Sequence, residues 1–84
     1  MSTWSIVITL KAEKDILALD AVARKRLGKK LMALSEDPVK LSKKLVNSDL
    51  GSYRYRVGDY RVVFDLSGHT IQILRVGHRR EIYR

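Results

Sequence analysis

The 84-residue chain is 45% apolar and 31% charged, with one Pro and no Cys. That is room for one domain with a small core, and too apolar for a disordered tail. Seventeen Lys and Arg against nine Asp and Glu give a net charge of +8, a field that concentrates polyanions, nucleic acid above all.

In chain order, residues 4–10 read as a strand opened by Trp4 and rich in β-branched side chains. Helical spacing follows from Lys11, with Ile16 and Leu19 three apart. Asp20 is a plausible N-cap for a second helix, on which Ala23, Leu27, Leu31 and Leu34 mark the apolar stripe. Arg24, Lys25, Lys29 and Lys30 occupy its wet face. Gly28 within it costs about 1 kcal/mol relative to Ala, which suggests close packing of another element. Pro38 ends the helix. Residues 39–52 then form a Lys-rich connection with turn formers at Asn47, Ser48, Asp49 and Gly51.

From Tyr53 the pattern is strand after strand. Tyr53–Val57 alternates, Gly58-Asp59 turns, 60–66 returns, Ser67-Gly68 turns, and 69–76 follows. Gly77 breaks the run before the closing residues 78–84. The expectation is one α+β domain over 1–84: an N-terminal strand, a two-helix hairpin, then an antiparallel meander of three to four strands, with the helices on one face. The chain has no Cys for disulfides or zinc. Its apolar runs fall short of the roughly 20 residues of a membrane span. The N-terminal stretch lacks a signal-peptide pattern. A soluble, cytoplasmic protein with no membrane partner is expected.

Every Lys lies between Lys11 and Lys44, and every Lys or Arg beyond Lys44 is Arg. Arg presents a planar fork that grips phosphate at two points, so the phosphate site is expected in the C-terminal half. Alternation places Arg54 and Arg56 on the face opposite Tyr53, Tyr55 and Val57, and a tight hairpin brings Arg61 beside Arg56. The end of the chain carries Arg79 and Tyr83 towards them. Four acids after residue 48 face seven Arg, so Asp59, Asp65 and Glu81 cannot neutralise the set. Arg75, Arg80 and Arg84 extend the candidate RNA- and phosphate-binding residues.

His69 and His78 offer no metal-ligand spacing, and no cofactor motif is present. His69 reads as an exposed turn residue. His78, between Gly77 and Arg79, is a candidate proton acceptor in an Arg cluster.

The segment Tyr53-Arg-Tyr-Arg-Val-Gly-Asp-Tyr-Arg-Val-Val-Phe64, with the later Ile-Leu-Arg-Val-Gly-His-Arg-Arg-Glu-Ile-Tyr83, resembles the RelE branch of the RelE/ParE toxin superfamily. The resemblance implies a RelE-like, microbial ribonuclease-type fold and a toxin that cuts messenger RNA in the ribosomal A site. It implies catalytic roles for Arg54 and Arg56, which stand where the best-known members carry Lys. It also implies that Arg61 and Arg79 hold the scissile phosphate and that Tyr83 stacks on a base. A guanidinium, with a pKa above about 12, is a poor proton acceptor, so proton transfer would fall to His78 or Tyr83, or yield to substrate alignment.

The family's habit implies a cognate antitoxin with an acidic or extended wrapping segment, for which Lys25, Lys29 and Lys30, together with the Arg face, are the expected contacts. Ribosome and mRNA are the other expected partners. The same fold also serves ParE-type toxins that poison DNA gyrase, and a non-catalytic nucleic-acid binder is the third reading.

Overall fold

A computed structural model describes residues 3–45 and 51–78. The elements are β1 (Ser5–Ile8), α1 (Leu10–Leu17), α2 (Ala21–Leu34), α3 (Pro38–Leu41), β2 (Lys43–Lys44), β3 (Tyr53–Val57), β4 (Tyr60–Ser67) and β5 (Thr70–His78). They build one five-stranded sheet in the order β1-β5-β4-β3-β2. The α+β class and the helical hairpin follow expectation. The sheet itself is mixed, because β1 pairs parallel to β5 along Ser5↔Thr70 through Ile8↔Ile73.

Local chemistry explains the helix ends. Thr9, expected in the first strand, is the N-cap of α1, its hydroxyl accepting from Ala12 N–H at 3.2 Å. Asp20 caps α2 as expected, accepting from Ala23 N–H at 2.7 Å. Pro38 does more than stop α2. It opens the single turn of α3, capped by Asp37, because a helix's first turn has no use for the N–H that Pro lacks. The connection after it also contains β2.

Ala12, Leu27, Leu31 and Leu34 pack on Tyr55, Val57, Val62, Phe64, Ile71, Ile73 and Val76 to form the core on one face of the sheet. Burial pushes the Tyr55 hydroxyl above its usual pKa of 10.0. The stability tied to its neutral form is therefore complete below pH 10 and lost as pH climbs through the raised value. His69 is exposed, as expected, and stacks on Trp4 with ring centroids 4.4 Å apart.

Two glycines behave unlike each other. Gly28 faces open space, with nothing within 4 Å of a Cβ placed there, so the expected close packing does not occur. Gly28→Ala should therefore raise stability by about 1 kcal/mol in thermal or urea unfolding. Gly51 lies against the face away from the helices. A Cβ there would stand 2.7 Å from Val63 Cγ1 and 2.9 Å from Leu74 Cδ1. Val63 is fully buried, and Asp65 holds the neighbouring Ser52 N–H at 2.7 Å. Gly51→Ala should cost about 1–3 kcal/mol by overpacking, read in the same assay.

Gly77 does not break the last strand, which runs on to His78. The interruption lies earlier. Val63 pairs with Arg75 but Phe64 with Ile73, leaving Leu74 as the extra residue of a β-bulge. Thr9 Oγ1 donates to Ile73 O at 2.9 Å, and Asp15 accepts from Val76 N–H at 2.9 Å. From its N-cap to Asp15, α1 thus covers the edge of β5 where β1 has ended.

Candidate active site

The hairpin of β3 and β4 sets Arg56 directly across from Arg61, and β2 sets Lys43 directly across from Arg54. Opposed residues share a face, as do residues two apart on a strand. Lys43, Arg54, Arg56 and Arg61 therefore stand on one face of the sheet, opposite α1 and α2. Gly58, at φ 59°, makes the tight turn that holds Arg56 and Arg61 together.

The four cations differ in setting. Arg56 and Lys43 are exposed, while Arg61 is only 5% exposed. Its Nη1 donates to Tyr60 O at 3.1 Å and to Gly58 O at 3.4 Å, tying the guanidinium to the hairpin turn. Leu41, Ser42, Lys43, Arg54 and Arg56 line a shallow groove on this face. Lys43, Arg54 and Arg56 give this groove a positive potential.

The bulge decides which C-terminal residues join the row. Without it, the pairing of Phe64 with Ile73 would continue to place Val76 opposite Arg61 and put His78 on the cationic face. With it, Gly77 stands opposite Arg61 and His78 opposite Tyr60. Tyr60 and His78 meet edge to face, ring centroids 6.0 Å apart, on the helix side of the sheet. There they line a second groove with Asp15, Ala18, Leu19 and Asp20. The structure thus separates His78 from Arg54, Arg56 and Arg61.

Arg75 is committed elsewhere. Its Nε donates to Asp15 Oδ2 at 2.8 Å, a partly buried ion pair. Arg79, Arg80, Glu81, Tyr83 and Arg84 lie outside the described residues. Among the described residues, no three His, Asp or Glu side chains gather as a metal site. Lys25, Lys29 and Lys30 are all exposed on α2, across the sheet from the Arg row. Val22, Lys25, Arg26 and Lys29 line a shallow surface there. Lys43 is the site residue that sequence reasoning missed. A two-residue strand carries no alternation to read, and only its register reveals the face.

The architecture is an α+β sheet with a row of cationic residues on the face opposite α1 and α2. Residues 6–83 match the model of the ParE toxin of type II toxin–antitoxin systems, so the chain belongs to that toxin family, within the RelE/ParE superfamily. It is 38% identical over 53 residues to toxin RelG of Mycobacterium tuberculosis, covering 61% of each chain. It is 41% identical over 49 residues to toxin RelE3 of Methanocaldococcus jannaschii, covering 58% of this chain and 56% of the other. Those matches span about three fifths of the curated relatives' lengths. The toxin–antitoxin complex RelBE2 from Mycobacterium tuberculosis contains a chain of the same fold, at TM-score 0.85 and 26% identity. That match covers 93% of this chain and all of the other. No helix among the described residues is long and apolar enough to cross a membrane.

Proposed function

We propose that this toxin is a ribosome-dependent endoribonuclease that cuts mRNA in the ribosomal A site. The observation that carries the reading is the row of Lys43, Arg54, Arg56 and Arg61 across three neighbouring strands. In the proposed reaction the 2′-OH attacks its own phosphate in line. Negative charge grows on the phosphorane, and the 5′ oxygen leaves. Guanidinium groups fixed at that position stabilise the developing charge without reorganising. Arg56 reaches the phosphate directly, and Arg61 braces the turn behind it. Arg79 and Tyr83 complete the proposed site, as phosphate ligand and base-stacking group. Alignment of the mRNA by the ribosome supplies what a strong base would otherwise provide.

His78, on the other side of the sheet, has no part in proton transfer. The site also asks nothing of a cofactor. A cognate antitoxin with an acidic, extended segment is the proposed partner that keeps the toxin silent. A segment seated only on Lys25, Lys29 and Lys30 would leave the Arg row open, since the sheet lies between. Silencing therefore requires the segment to continue over the cationic face or to block ribosome entry.

The reading is tested by pulse-labelling cells after induction, with plasmid supercoiling followed in parallel. Protein synthesis should stop first while supercoiling holds. Loss of supercoiling with translation intact would favour gyrase poisoning, and no arrest at all would favour a non-catalytic binder.

A further inference from the structure

Resting on that reading, we infer that Lys43 is a catalytic residue, the proton donor to the leaving 5′ oxygen. Lys43 pairs with Arg54, is exposed, and lines one groove with Ser42, Arg54 and Arg56. Adjacent strands place opposed Cβ atoms about 4.5–5.5 Å apart and diagonal ones about 7–8 Å apart. A Lys stem at that spacing reaches any phosphate held between Arg54 and Arg56.

A departing alkoxide is a strong base and needs a proton as the P–O bond breaks. A guanidinium releases one reluctantly, and an ammonium is more acidic by about 2–3 pKa units. Of the side chains lining this groove, the Lys43 ammonium is the best proton donor at neutral pH. The balance is simple. The 2′-OH loses its proton to water, the 2′ oxygen bonds to phosphorus, and the P–O5′ bond breaks as Lys43 Nζ delivers a proton. The products are a 2′,3′-cyclic phosphate and a free 5′-OH, and Lys43 is reprotonated by solvent.

A plain alternative exists for a Lys at this place. β2 is an edge strand of the sheet, and Lys on an edge deters strand addition. Lys44 shares that edge but pairs with Tyr53, on the opposite face, which makes it the matched control.

The test uses the full-length toxin on programmed ribosomes, with Lys43→Arg and Lys44→Ala variants. Two mRNAs are compared, one ordinary and one with sulfur replacing the 5′ bridging oxygen at the cut. A thiolate departs without protonation. Lys43→Arg should be slowed about 10²-fold or more on the ordinary mRNA and return to near the wild-type rate on the sulfur substrate. Lys44→Ala should match the wild type on both, whereas Arg56→Ala should stay slow on both. Equal slowing of Lys43→Arg on both substrates, or none on either, would overturn the role of Lys43 while leaving the nuclease standing. A wild-type protein that cuts neither would overturn the nuclease reading itself.

Discussion

Arg56→Ala should lower single-turnover mRNA cleavage on ribosomes by about 10²–10³-fold, the usual cost of removing one fixed donor to a developing oxyanion, and Arg61→Ala should lower it too, by loosening the turn that holds Arg56. The two differ in how the loss arises. Arg56 is exposed, so its removal should leave the thermal transition nearly unchanged and act on the chemistry alone. Arg61 is buried and donates to the Tyr60 and Gly58 carbonyls. Its removal should also lower stability, by about 1–3 kcal/mol. His78→Ala should cost less than about tenfold, since that ring packs against Tyr60 on the far face. A His78 variant worse than both Arg variants would return proton transfer to His78.

Phe64→Ala should cost about 3–5 kcal/mol. That is most of the stability expected of a chain this small. Phe64 is fully buried on the central strand and stacks on Tyr53 with ring centroids 5.4 Å apart. It also sits across from Ile73, at the point where the β5 bulge begins. Truncation would open a cavity beside the one irregularity that sets the face of the last strand. Circular dichroism melting should show a largely unfolded variant at 37 °C, with toxicity lost alongside. A Tm within a few degrees of the parent would place the weight of the core elsewhere.

The sequence disclosed what is local. Alternation and turn glycines located both hairpins, and with them the facing of Arg56 and Arg61. Apolar spacing and the Asp20 cap located α2. What it concealed is non-local. Nothing in Ser5–Ile8 announces a parallel pairing with Thr70–Ile73. The Leu74 bulge leaves no mark in the alternation, yet it turns His78 away from the Arg row and brings Gly77 in. Nothing in the sequence announces the ion pair that α1 makes by setting Asp15 against Arg75. Lys43 reads as part of a linker until β2 adds it to the sheet.

On the proposed reading, the cationic face opposite α1 and α2 cuts mRNA held by a ribosome. Primer extension on a defined mRNA, programmed into ribosomes with an empty A site, tests it most directly. The account predicts cuts confined to the A-site codon, present with the wild-type toxin and absent with Arg56→Ala. Cuts that survive Arg56→Ala and Arg61→Ala together, or ribosomes left with intact mRNA by an active toxin, would contradict it.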